Sequence, residues 1–536
     1  MKPQKFFRPV LVWALLVALS RTVGVSTPLT ANAQGNVYYV DQNHPQASDS
    51  NPGTEDWPWA TIQHAADVAV AGDTIYVKEG TYQERVTPQN SGAAGNMIAF
   101  KALPRRSVTM CGFYTVNSDH LRVEGFNITT DESLTGWTER YGVFIRSNHV
   151  EVVDNYFYDL EATAIQGYWH EPYPEAAYVA ENTVYRSQKG IGVTGFDWVV
   201  EENEVERLFD HGGGDCDYSR FFGDNHLIRN NYFHGTQFDE IGSAHVDCFQ
   251  TFDNNGEFGH NITIEGNLCT DFHQGFMGEA HYYHNISHIT FKNNVFAHGG
   301  AWGLCVQDIS YLTVINNTFV DIQHHGVGLS DASFHAVIKN NIFYDTGTSY
   351  WFPEDSDSVG DYNLIFESRD PPVSGEHDLI GHDPLFVDFA SDDFHLQPDS
   401  PAIDAGEPLA EVAIDFDGVS RPQGAGWDIG AFEFLPDLVL CGAPQDQAIH
   451  LTWSVNTTLP VTSTWRINYQ GQGGTAYLPI TAANPVRACS LTGLTNYIWY
   501  TITLNAMLDS IPFLTDTVKV MPTDVFVYLP IVLKGP

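Results

Sequence analysis

Ile262-Thr-Ile-Glu-Gly-Asn267-Leu, Ile289-Thr-Phe-Lys-Asn-Asn294-Val-Phe, Leu312-Thr-Val-Ile-Asn-Asn317-Thr-Phe and Ala336-Val-Ile-Lys-Asn-Asn341-Ile-Phe are one phrase written four times. Apolar residues alternate with polar ones, so each phrase reads as a half-buried strand of about five residues. An asparagine follows where the chain must turn. Asparagine tolerates a left-handed conformation, and stacked side-chain amides can bond to one another along a ladder. Working outward, the same phrase ends at Asn127, Asn155, Asn182, Asn203 and Asn231, and fades at Asn363. The intervals are 28, 27, 21, 28, 36, 27, 23, 24 and 22 residues. A second short strand follows in most units, as in Gly142-Val-Phe-Ile, Gly190-Ile-Gly-Val, Gly275-Phe-Met, Gly303-Leu-Cys-Val and Gly326-Val-Gly-Leu. A unit this small cannot bury its own apolar face, whereas a stack of them can. The internal period of two excludes a helical solenoid.

The chain resembles the right-handed parallel β-helix proteins of the pectate-lyase-like superfamily. The expected fold is all-β: a right-handed parallel β-helix solenoid of about ten coils with an N-terminal helical cap, followed by a small β-sandwich. The opening segment carries the resemblance further: Tyr38-Tyr-Val-Asp41, Asp49-Ser-Asn-Pro-Gly-Thr54, Pro58-Trp-Ala-Thr-Ile-Gln63 and Gly72-Asp-Thr-Ile-Tyr-Val77. It is similar to the start of family 9 polysaccharide lyases. Within it, Thr61–Ala71 reads as a short amphipathic helix with Ile62, Ala65, Ala66 and Ala69 on one side, placed to cover an open sheet end.

Five regions follow from the pattern. Residues 1–33 read as a secretory signal, with Lys2, Lys5 and Arg8 before an apolar run and Ala31-Asn-Ala33 as the cleavage site. Residues 34–365 form the solenoid and its cap. Residues 366–435, with Phe394-His-Leu-Gln-Pro-Asp-Ser-Pro-Ala-Ile-Asp-Ala-Gly406 and Trp427-Asp-Ile-Gly-Ala-Phe-Glu433, resemble a module found after β-helices in bacterial surface proteins. They are expected to end the solenoid. Residues 437–522, with Ile449-His-Leu-Thr-Trp453 and Leu491-Thr-Gly-Leu-Thr-Asn-Tyr497, resemble a fibronectin type III sandwich. Residues 523–536 form an apolar tail too short to span a membrane as a helix. Cys441 and Cys489 share one segment and are the expected disulfide among seven cysteines.

The 536 residues hold 66 Asp+Glu against 25 Lys+Arg, a formal charge of −41. Such a surface excludes nucleic acid and anionic lipid as partners. The protein is expected to be an extracellular monomer acting on a polysaccharide.

The long interval before Asn267 marks an insertion, and solenoid insertions build binding walls. Two phrases stand out there: Asp210-His-Gly-Gly-Gly-Asp-Cys-Asp217 and His245-Val-Asp-Cys-Phe-Gln250. Strand alternation puts His245, Asp247 and Phe249 on one face, and Glu279 with His281 beside them on the next coil. His211, Phe249 and His281 are candidate substrate contacts. Three functions compete. A polysaccharide lyase on uronate glycans, resembling pectate lyases, would hold Ca²⁺ at Asp215, Asp217 and Asp247 and use Lys189 or Arg220 as base. A glycoside hydrolase would pair Asp247 with Glu279 or Asp217, with His245 beside them. A non-catalytic adhesin would only bind glycan. Zinc is disfavoured because the period of two separates His245 from Cys248.

Overall fold

The computed structural model describes residues 35–523, apart from 131–139, 213, 255, 331, 372–373, 436–437, 456–461, 473–479, 484–485 and 509–510. The expected signal and nearly all of the apolar tail lie outside these residues. Twenty-nine strands between Val37 and Ile380 join in one parallel sheet system, coil upon coil. The helix Ile62–Val68 closes its start. Thr61 caps it by accepting from His64 N, and Ile62, Ala65, Ala66 and Ala69 are buried. No helix among the described residues is long and apolar enough to cross a membrane.

The asparagines form a buried ladder. Asn155, Asn182, Asn203, Asn231, Asn267, Asn294, Asn317, Asn341 and Asn363 each present a side-chain oxygen to the coil before. Each also donates its backbone N–H, at 2.8–3.1 Å, to the side-chain oxygen of the next rung. The last acceptor is a carboxylate, Asp378. Two expectations need correction. The left-handed residue is the one before the rung: Asp154, Glu181, Glu202, Asn230, Gly266, Asn293, Asn316, Asn340 and Tyr362 all have φ between 52 and 64°. Asn127 is no rung either; Phe126 N donates to Asn155, and the Asn127 amide bonds Arg106 O instead.

A corner follows the ladder in each coil, and there the alternation of faces breaks. At Gly142, Gly275, Gly303 and Gly326 a Cβ would collide with a ring carbon of Phe157, Phe296, Phe319 or Phe343 in the next coil. The residue after each corner, such as Phe276 or Leu304, also points inward and is fully buried. Strand register puts Cys248 in the corner column beside Gly275, and Cys269 in the phenylalanine column beside Phe296. A facing glycine and phenylalanine are replaced by two cysteines, which form a disulfide. The expected Cys441–Cys489 bond is absent. Both are free thiols, and each lies opposite a residue of the intervening strand Ala448–Val455.

Residues 381–434 do not extend the stack beyond its last strand, Leu379–Ile380. Phe386, Phe394, Leu396, Ile429 and Phe432 pack on Val295, Val320, Ile342 and Leu364, which face outward from the last coils. The outer asparagines of the Asn-Asn pairs anchor this segment. Asn293 donates to Ile414 O, Asn316 to Asp428 O and Asn340 to Glu407 O. The fully buried pair Arg421–Glu433 locks it internally at 2.8 Å. Beyond it, a three-stranded and a four-stranded antiparallel sheet share a core that includes Trp453 and Trp465, 5.6 Å apart.

Asn267→Ala removes the acceptor of the Asn231 backbone N–H and the amide donor to Ile228 O inside the core. It should cost about 3 kcal/mol, since each stranded buried group costs about 1–3; the urea midpoint reads it, and an unchanged midpoint would count against the ladder. Alkylation of the unfolded, unreduced chain should spare only Cys248 and Cys269.

Candidate active site in a lateral groove

Parallel register assembles the site from four consecutive coils. The strands Tyr156–Gly167, Thr183–Val193, Ser219–Phe221 and Asp247–Phe252 lie side by side. Lys189 stands opposite Thr163, Ile191 opposite Ser219, and Ser219 opposite Phe249. Counting back two residues from the last two pairs places Lys189, Asp217 and Asp247 in one column, about 4.8 Å per coil. The neighbouring column reads Gln166, Gly192, Arg220 and Gln250. Gly192 matters there, because a Cβ would collide with the Gln166 amide and block that space.

The two aspartates lie beneath the cations. The Asp217 side chain is 0% exposed and accepts from Arg220 at 2.5 Å. Asp247 accepts from Gln250 Nε2 at 3.1 Å, and the same amide lies 3.5 Å from Asp215. Burial raises the pKa of both aspartates. For Asp247 the neighbouring carboxylates Asp217 and Asp215 push it further up. Arg220 and Lys189 pull Asp217 back down. The push toward the protonated form is thus stronger at Asp247, which has carboxylates for neighbours, than at Asp217, which has cations beside it. Burial lowers the Lys189 pKa; Asp217 opposes this, and Arg220 adds to it.

Above them is a groove of about 380 Å³. Lys189, Arg220 and Gln166 contribute to it from the sheet, and aromatic rings from the sides. Trp169 and Tyr173 come from the turn after one coil. Phe222, Phe252 and Phe258 come from later coils. Phe222 and Phe252 meet edge to face at 4.9 Å, and the Arg220 guanidinium sits 5.2 Å from the Phe252 ring centroid.

Five of the residues singled out from sequence thus come together: Lys189, Asp215, Asp217, Arg220 and Asp247. The others do not. Phe249 is a core residue packed on Phe233 and Phe296, because the corner at Cys248 turns two successive side chains inward. His245 is exposed outside the groove, against His273 at 5.6 Å. Glu279 stands opposite Phe252, five residues beyond Gln274, the partner of Asp247. It forms no carboxylate pair with Asp247. His281 has left the strand and lies exposed in a turn on Tyr282. His211 is exposed, 3.4 Å from Glu161. Sequence reasoning missed Gln166, Gln250 and the aromatic walls. The crowded turn Tyr168-Trp-His-Glu-Pro-Tyr173 was the available signal.

For Ca²⁺ the donor set points two ways. Asp217 Oδ1, Asp247 Oδ1 and Gln250 Oε1 are buried oxygens with no hydrogen-bond partner, which suits a hard cation. Among the described residues, however, the group of metal-ligating type with all its ligand atoms within 4.8 Å is Glu204, Glu206 and His234, on another face.

Residues 223–368 match the family model described as right handed beta helix region. The uncharacterized protein YwoF of Bacillus subtilis (strain 168) is 25% identical over 186 residues, which are 31% of this chain and 38% of that protein. The chain thus matches well under half the length of that relative. Among solved structures, the complex of XylC with xylose aligns at TM-score 0.47 and 12% identity, over 74% of this chain and 98% of that one. A rhamnogalacturonan lyase aligns at TM-score 0.40 and 16% identity, over 72% of this chain and 99% of its own.

Asp247 binds its proton more tightly folded than unfolded. Its burial therefore costs nothing in acid, and the cost grows as pH rises from the ordinary carboxylate range toward its raised pKa. Asp247→Asn should stabilise the protein by about 1–3 kcal/mol at mildly alkaline pH. Thermal melts across pH should show the gain vanish in acid; a pH-independent effect would overturn the assignment.

Proposed function

We propose that this chain is a carbohydrate-active enzyme, a polysaccharide lyase that cleaves uronate-containing glycans by β-elimination. The observation that carries the reading is Lys189, an amine of lowered pKa at a groove wall beside the fixed cation Arg220. Elimination needs those two groups together. Arg220 pairs with the uronate carboxylate and makes the adjacent C5–H acidic. Neutral Lys189 takes the C5 proton, the electron pair becomes the C4–C5 double bond, and the C4–O bond breaks. The departing oxygen regains a proton from water. Asp217 holds Arg220 in place through its 2.5 Å contact.

Ca²⁺, if bound, would be held by Asp215, Asp217 and Asp247 with Gln250, and would add positive charge for the uronate carboxylate. The hydrolase reading is weaker. Its best-placed carboxylates, Asp217 and Asp247, are 0% and 1% exposed beneath Arg220 and Lys189, away from a glycosidic oxygen in the groove. The C-terminal sandwich is read as a fibronectin type III-like spacer on an exported protein.

Uronate polymers incubated with the protein should yield products carrying the ultraviolet chromophore of an unsaturated uronide. Lys189→Ala should lower kcat at least about a hundredfold, the usual scale for loss of a general base. Arg220→Ala should raise KM and also lower kcat, because the guanidinium both binds the carboxylate and acidifies the C5–H. The wild-type rate should rise with pH, because the base works neutral, and level off below the ordinary lysine pKa. New reducing ends without the chromophore would mean hydrolysis, and retention of glycan without cleavage would mean a binding protein.

A further inference from the structure

We infer that the glycan taken by this groove carries isolated uronates separated by neutral sugars, and is not a homopolyuronate with a charge on every unit. This deepens the lyase reading and rests on it for the chemistry, though not for binding. Charge is scarce where the glycan would lie. The charged residues lining the groove are Lys189, Arg220 and Glu257. The two cations sit on adjacent coils, close enough to serve one carboxylate. The rest of the lining is rich in rings: Trp169, Tyr173, Phe222, Phe252 and Phe258, with Tyr173 and Phe258 meeting edge to face at 5.7 Å. Such rings pack well on the C–H face of a neutral sugar and leave a carboxylate without a partner.

The column beyond the cations agrees. After Asp247 the next positions are Gln274, then Trp302, then His325, with the Trp302 and His325 rings stacked at 4.6 Å. Amide and aromatic groups follow one another there, with no basic residue among them. A homopolyuronate lying in the groove would set its further carboxylates over rings and beside Glu257. The rest of the chain offers no relief, with 66 acidic residues against 25 basic. At low ionic strength these repulsions reach about 10 Å or more. One uronate can be met by the Arg220 guanidinium, whereas a row of them cannot.

The test compares pectate, charged at every unit, with an alternating galacturonate–rhamnose polymer and with a xylan bearing occasional glucuronate. Cleavage is followed by the unsaturated chromophore and binding by retention in affinity gels, both with the full-length protein at low and high salt. One of the sparsely charged polymers should be favoured over pectate by at least about tenfold at low salt, and added salt should narrow the gap. If no polymer is cut but a sparse one is retained in preference to pectate, this inference stands and the lyase reading falls. Pectate cut or retained as well as the sparse polymers at low salt would overturn the inference. So would a failure to bind or cut any of the three.

Discussion

A primary amide sealed inside a protein must place two donors and an acceptor, and few neighbours can satisfy all of them. In this solenoid the neighbour that can is another asparagine at the same point of the adjacent coil. Each rung from Asn155 to Asn363 binds the next through the same atoms, so the ladder tolerates no slippage between coils. Every other feature inherits that register. The left-handed residue before each rung sets the turn, the glycine column sets the corner, and the site straddles that corner, with Lys189, Asp217 and Asp247 just before it and Gly192, Arg220 and Gln250 just past it. Lys189, Asp217 and Asp247 meet because their coils are in register, though 28 and 30 residues separate them along the chain.

This explains why much was legible in the sequence and where legibility stopped. Asparagine spacing alone located the coils; the long interval before Asn267 holds Asp247, and the interval before that, also long, holds Asp215 and Asp217. Period-two alternation then failed within one phrase. His245, Asp247 and Phe249 share a parity, yet the corner at Cys248 sends Phe249 into the core and leaves Asp247 outside it. The corner has a sequence mark, glycine, in most coils. In this coil cysteine stands in its place, so the mark was hidden. The same substitution hid the disulfide, whose partners are recognisable only once the columns facing each other are known. The aromatic walls come from turns, which the repeat does not constrain. The outer asparagines of the Asn-Asn pairs, which the repeat alone gives no role, fasten a separate segment along the flank.

The site itself is a small inversion of the molecule around it. On a strongly acidic chain, two cations face the groove while two aspartates are buried beneath them. Burying those carboxylates is unfavourable, and it is offset by holding Arg220 rigidly and by sharing a proton through Asp247. The arrangement gives a fixed guanidinium next to an amine that is easily neutralised. The fixed guanidinium comes from Asp217, whereas the amine is eased toward neutrality by burial and by Arg220, against the pull of the acids.

The carboxylate at the end of the ladder has a further consequence. Every rung donates in one direction, so a stack of any length ends with donors unmet. Asp378 accepts from the backbone and side-chain amide of Asn363 and offers no amide of its own to a further coil. It works as a full stop in a text of repeated words. Upstream of it, whole coils are interchangeable in their hydrogen bonding, so gain or loss of a coil would leave the grammar intact. The length of the solenoid is thus an inheritable variable, adjustable in single steps, while Asp378 keeps two molecules from reading on into one another.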